Sequence, residues 1–126
     1  MPVRSVLIVD DNPAVRKAIC ELFTREGDFE VCDEAENGRE AIEKAQRLRP
    51  DLIVTDLSMP FMDGIEETRI LRELMPRVPV IIFTAHEHSF VEKEALAAGA
   101  SAVVLKSEAV AVLIGKAREL LGLIAA

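Results

Sequence analysis

Five polar side chains in this sequence stand at or near the end of apolar runs that read as buried strands. Asp10 and Asp11 close "VLIVDD" (6–11), and Asp56 closes "DLIVTD" (51–56). Thr84 stands near the end of "VPVIIFTA" (78–85), and Lys106 ends "AVVLK" (102–106). If these strands lie parallel in one sheet, their C-terminal ends open onto a single edge, where ligands of open α/β sheets bind. Three carboxylates brought together there repel unless a cation or a proton neutralises them. Oxygen donors without imidazole or thiolate suit a hard ion such as Mg2+ or Mn2+. Lys106 adds a positive point charge and Thr84 a hydroxyl donor. A metal, an ammonium and a hydroxyl around one carboxylate suit phosphoryl transfer. Asp56 is the natural nucleophile, since carboxylates form aspartyl-phosphates. The metal and Lys106 would then neutralise charge on the equatorial phosphoryl oxygens. Taken singly, each residue has a plainer explanation: acids end strands, Thr favours strands, and Lys is commonly solvated. Their joint placement at one edge sets them apart.

The elements that must position them follow from apolar spacing. Asn12-Pro13 reads as an N-cap followed by the first helical position. Val15, Ile19, Leu22 and Phe23 then recur at helical spacing, with Gly27 as a stop. "FEVCDEA" (29–35) alternates like an edge strand. Residues 38–48 form an amphipathic helix with Ala41, Ile42, Ala45 and Leu48 on one side, and Pro50 lies just beyond it. Asp63-Gly64 opens a third helix with Ile65, Leu71, Leu74 and Met75 inward. A fourth helix is expected over roughly 87–98, ending at Gly99, and a fifth from about 108 to the end of the chain. His86 and His88 read as exposed first-turn residues rather than metal ligands, and Met59 and Met62 as turn packing. Five strands alternating with five helices predict a parallel sheet covered on both faces, joined by right-handed crossovers.

Composition narrows the function classes. The 126 residues fit one domain and are half hydrophobic, enough for a core. A formal net charge of -7 argues against direct binding of nucleic acid or an anionic membrane, which calls for a basic face. Cys20 and Cys32 form no Cys-x-x-Cys pair and no secretory signal precedes them, so they read as buried free thiols of a cytoplasmic protein. No stretch approaches a membrane span in length.

The motifs together resemble the receiver domain of two-component response regulators. The matching stretches are "VDDNP" (9–13), "DLSMPFMDG" (56–64), "TA" (84–85), "ALAAGA" (95–100) and "LK" (105–106), in order and spacing. The likeness covers essentially the whole length, so 1–126 reads as a single receiver domain. "LKSEA" (105–109) looks like the variant found in LuxR/NarL-type regulators. The resemblance implies a flavodoxin-like (CheY-like) doubly wound sheet of five parallel strands, order 2-1-3-4-5, with five helices. It implies that Asp56 accepts a phosphoryl group from a sensor histidine kinase, a phosphotransfer protein or a small phosphodonor. Asp11, Asp56 and the backbone carbonyl of Ser58 would ligate Mg2+ directly, and Asp10 mostly through water. Thr84 would move toward the phosphoryl oxygens and Lys106 would pair with them. Such a domain is a signalling switch, not an enzyme.

Two positions depart from the common pattern. Val103 stands where many receivers carry an aromatic residue, and Ser107 where many carry a proline after the Lys. Phosphorylation is expected to bias the face built from helix four, strand five and helix five. The last helix, "AVAVLIGKARELLGLIAA" (109–126), has only three charged residues, Lys116, Arg118 and Glu119, which suits packing on the sheet or burial against a second receiver or an effector domain. Other readings fit less well. An aspartate-nucleophile phosphatase would want a second acid at Ser58. A flavin or dinucleotide binder would want a Gly- or Ser/Thr-rich loop in place of "DDNPA". A receiver that binds partners without ever taking phosphate is the alternative of the same fold.

Overall fold

Ten elements alternate along the chain in the computed structural model, which describes residues 3–85 and 89–123. They are β1 (Arg4–Val9), α1 (Pro13–Arg25), β2 (Phe29–Ala35), α2 (Gly38–Leu48), β3 (Leu52–Thr55), α3 (Gly64–Leu74), β4 (Val80–Thr84), α4 (Ser89–Ala97), β5 (Ala102–Leu105) and α5 (Val110–Leu120). The strands form one parallel sheet in the order β2-β1-β3-β4-β5. This is the flavodoxin-like order expected from the resemblance.

The two-residue period of the strands divides the core. Val6 and Ile8 face one side with Val54, Ile81 and Val104, and are covered by Ile19 and Phe23 of α1 and Leu113, Ile114 and Ala117 of α5. Leu7 and Val9 face the other with Ile53, covered by Ala41 and Ala45 of α2 and Leu71 of α3. A smaller cluster of Leu57, Ile82, Ala95 and Ala100 seats α4. The central strands are apolar throughout because both faces are covered.

Register brings the site together. Val9 of β1 pairs with Thr55 of β3, so Asp10 and Asp56 leave the sheet at the same level. Asp56 N–H donates to the Val9 carbonyl, and Asp10 N–H to that of Ala35. Helix entry is set by short polar caps: Asn12 accepts from the N–H of Ala14 and Val15, Asn37 from Glu40, and Asp63 from Glu66. Each such cap contributes about 1 kcal/mol.

Several boundaries and faces differ from the sequence reading. Leu74 is 49% and Leu48 38% exposed, where both were expected inward. On α3 the helical stripe that contains Leu71 continues instead through Glu67, Thr68 and Gly64, all buried. Helix α1 ends at Arg25 with Glu26 as its cap, just before Gly27. Helix α5 stops at Leu120 rather than running on. There Gly122 takes a left-handed φ of 68°, and the N–H of Leu123 returns to the Arg118 carbonyl, a turn that glycine adopts at no steric cost. The start expected for α4 at 87, together with His86 and His88, lies outside the described residues. Cys20 and Cys32 are free, but half-buried rather than buried. Burial pushes the Cys20 thiol up to about 12 and also raises that of Cys32, so neither is a ready thiolate. Among the described residues no helix is long and apolar enough to cross a membrane.

Candidate functional site

At the sheet edge the carboxylates of Asp10, Asp11 and Asp56 each offer an oxygen within 4.8 Å of the others. Asp10 is buried, Asp11 exposed and Asp56 half-buried, so the cluster grades from the protein interior to solvent. Asp10 Oδ1 accepts from Asn12 N–H at 2.9 Å. The α1 cap thereby also aims the deepest acid of the site. Asp56 Oδ1 accepts from Leu57 N–H at 2.8 Å.

Lys106 reaches over from β5. Its Nζ is 3.0 Å from Asp10 Oδ2 and 3.4 Å from Asp56 Oδ1. It also lies 5.9 Å from the centroid of the Phe83 ring, at the outer reach of a cation–π contact. The backbone before it is pinned, since Lys106 N–H donates to the Thr84 carbonyl at 2.7 Å. Desolvation raises the Asp56 carboxyl above its ordinary range, Lys106 opposes this, and the neighbouring Asp10 adds to it. A half-buried acid beside another acid is short of positive charge even with one lysine present. Further cationic charge at this point is therefore stabilising.

Thr84 is fully buried at the last position of β4, in register with Leu105. Ser58 is exposed two residues beyond Asp56. The structure thus clusters Asp10, Asp11 and Asp56 and brings the Lys106 ammonium against Asp10 and Asp56. It sets Thr84 on the adjoining strand end and Ser58 on the adjoining loop. Val103 is half-buried against Leu57, Ile82 and Ala95, so a small aliphatic side chain fills the place of the aromatic. No cis peptide bond occurs among the described residues, and Lys106–Ser107 is trans.

The loop from Leu57 to Asp63 frames the site. Gly64 N–H donates to the Leu57 carbonyl at 2.8 Å. A Cβ on Gly64 would fall 2.2 Å from the Asp56 carbonyl oxygen, so only glycine lets α3 start this close to the acid. Phe61 has a φ of 69° and is 84% exposed, an outlier for a bulky residue. Met59 and Met62 pack at the turn, as expected.

Three further participants, Arg16, Glu67 and Thr55, belong to no motif of the sequence. Arg16 Nη1 donates to the Asp10 carbonyl at 2.7 Å while its Nε pairs with Glu34 at 3.0 Å. Glu67 and Thr55 are fully buried beside the Asp56 peptide and 2.7 Å apart. The signal for Glu67 was available: it stands four residues before Leu71 and eight before Met75, on the same inward stripe.

Comparison with known proteins agrees with this arrangement. Residues 6–118 match the model of the response regulator receiver domain. A protein-glutamate methylesterase/protein-glutamine glutaminase of a Nocardioides species is 45% identical over 108 residues, covering 84% of this chain and 30% of that protein. Over the curated relatives it matches, the chain spans between 26% and 51% of their length. Among solved structures, a LuxR-family two-component response regulator from an Aurantimonas species superposes with a TM-score of 0.92 at 34% identity, over 95% of this chain and 86% of that one. A CheX–CheY complex with BeF3 and Mg2+ from Borrelia burgdorferi gives 0.87 at 30% identity, over 93% of this chain and 88% of that one. The chain belongs to the response regulator receiver domain family.

Proposed function

We propose that this chain accepts a phosphoryl group on Asp56 from the phosphohistidine of a sensor histidine kinase or phosphotransfer protein, and passes the signal on through a protein surface. The observation that carries this reading is the Lys106 ammonium bridging Asp10 and Asp56 at 3.0 and 3.4 Å beside three clustered carboxylates. Asp56 is half-buried yet open enough for an incoming donor. Its carboxylate oxygen attacks phosphorus. A P–O bond forms as the P–N bond to the donor imidazole breaks, and the leaving ring takes up a proton. Lys106 stays within reach of the new charge, and Thr84 supplies a hydroxyl from the neighbouring strand.

The all-oxygen donor set fits Mg2+ or Mn2+. Asp10, Asp11, Asp56 and the Ser58 carbonyl are the residues that would hold it. Bound there, the ion would neutralise charge on the transferring group. The Mg2+ in the Borrelia neighbour's complex supports this assignment. Residues 1–126 act as one receiver unit, without catalysing a reaction on another molecule, and in the cytoplasm, where the free thiols of Cys20 and Cys32 suit a reducing medium.

Phosphorylation adds about −1.5 to −2 charge at Asp56. The output face is that of α4, β5 and α5, whose exposed apolar side chains, Phe90, Leu96, Val110 and Val112, suit a second receiver or an effector domain. Intact mass after incubation with Mg2+ and a small phosphodonor tests the proposal. One added phosphoryl group in wild type, absent from Asp56→Asn, is expected. No addition to a folded wild-type protein would leave the phosphate-independent binding module standing instead.

A further inference from the structure

Beneath the phosphoacceptor loop lies a buried acid that the transfer step does not use. Glu67 and Thr55 are both 0% exposed. Thr55 Oγ1 is 2.7 Å from Glu67 Oε1 and 3.1 Å from the main-chain oxygen of Asp56. Glu67 Oε2 has no hydrogen-bond partner. A hydroxyl carries one hydrogen. If Glu67 were a carboxylate, both neighbours of Thr55 would be acceptors, and one would go unserved. A buried carboxylate with one bond and no cation is also strongly disfavoured. Among the described residues no positive group acts on it. The charge that acts on Glu67 is Asp63, an acid of the same helix end. β3 meets it with the Thr55 hydroxyl. Gly38 of α2 approaches its Cβ, with Met62 of the loop alongside. Burial accordingly pushes the carboxyl up to about 8. A neutral Glu67 balances the count: it donates to Thr55, and Thr55 donates to the Asp56 carbonyl.

That carbonyl belongs to the peptide unit whose N–H, on Leu57, holds Asp56 Oδ1 at 2.8 Å. The unit is rigid and planar, so a bond at its oxygen sets the direction of its N–H.

We propose that Glu67 is a positioning residue for Asp56: as a neutral acid it orients the Thr55 hydroxyl onto the Asp56–Leu57 peptide, which aims the acceptor carboxylate. Ionised Glu67 takes the Thr55 hydrogen for itself and frees that peptide. The consequence for phosphorylation rests on Asp56 being the acceptor; the hydrogen-bond relay does not.

Two readouts separate the two claims. The first is the Leu57 amide resonance in 15N NMR of the unphosphorylated protein between about pH 6 and about pH 9.5. Wild type is expected to titrate, and Glu67→Gln, which keeps a donor toward Thr55 at every pH, is expected not to. The second is the rate of phosphoryl uptake from phosphoramidate with Mg2+, as the ratio of wild type to Glu67→Gln at each pH. The ratio is expected to fall about fivefold across the range. Thr55→Val should give the slow rate throughout and abolish the Leu57 titration, and it serves if Glu67→Gln does not fold. A Leu57 resonance that does not titrate in wild type overturns the relay. A titrating resonance with a constant rate ratio overturns the positioning role. No uptake by wild type, with the Leu57 titration present, would refute the phosphoacceptor reading and leave the relay intact.

Discussion

The Lys106 ammonium lies nearer to Asp10 than to Asp56, at 3.0 Å against 3.4 Å. Asp10 is 1% exposed, so the lysine's first task in the unphosphorylated protein is to neutralise a buried acid. Lys106→Met should therefore cost stability as well as phosphoryl uptake. Without metal the loss is expected at about 1–3 kcal/mol, the cost of leaving a buried polar group unserved. Urea unfolding should show the deficit narrowing when Mg2+ is added, because a second cation relieves the same carboxylate. A deficit indifferent to Mg2+ would count against a metal at this cluster.

Asp11 is exposed, which makes it the cleanest probe of metal binding. Asp11→Asn is expected to fold within about 0.5 kcal/mol of wild type in the absence of Mg2+. At a Mg2+ concentration ten times Kd, wild type should gain about 1.4 kcal/mol. The variant should lose most of that gain. Thermal melts with and without Mg2+ decide it.

Phe61 combines a φ of 69° with 84% exposure. Neither its backbone nor its packing favours phenylalanine there. Relief of left-handed strain should outweigh the extra freedom of an unfolded glycine, so Phe61→Gly is expected to stabilise the domain by up to about 1 kcal/mol. Denaturant midpoints of the two proteins test the sign.

Gly64 shows the opposite case. The Cβ of Gly64→Ala would stand 2.2 Å from the Asp56 carbonyl oxygen, and a main-chain atom cannot swing aside as a side chain does. A destabilisation of about 3 kcal/mol is expected, at the upper end for overpacking. Equilibrium unfolding should show it, with Gly27→Ala, where nothing lies within 4 Å of the added atom, as the tolerant control.

Glu67 makes stability depend on pH. Its carboxyl is raised from an ordinary 4.5 to about 8 by burial. Between those values the folded protein holds a proton that the unfolded chain has released, so stability falls as pH rises. The contribution is whole below about 4.5 and lost above about 8. The stability difference between Glu67→Gln and wild type should grow with pH over this interval. A flat difference would show that Glu67 loses its proton at the same pH in the folded and unfolded protein.

Much of this is legible in the sequence alone. The strands of apolar residues, the Asn12 cap with Pro13, and the acids at strand ends are local signals with local causes. The inward face of α3 was legible only in part. Leu71 and Met75 are buried as their spacing predicts, whereas Leu74 is exposed and Glu67 takes an inward place. A hydrophobicity pattern skips an acid even where the helical period puts it in the core. The end of α5 was hidden for a related reason: an unbroken apolar run conceals a glycine that stops it.

The sequence by itself determined that five strands alternate with five helices, where α1, α2 and α3 begin, and that five polar groups stand at or near the ends of buried strands. Those features depend on side-chain type and short-range spacing. Only the tertiary structure decided how the polar groups share their charges and hydrogens. Register sets Asp10 level with Asp56, the parallel placement of β5 beside β4 lets Lys106 reach the more deeply buried of the two, and the packing of α3 on β3 closes Glu67 against Thr55. Contacts between residues far apart in the chain depend on distances and desolvation, which arise only when the sheet and helices are packed together.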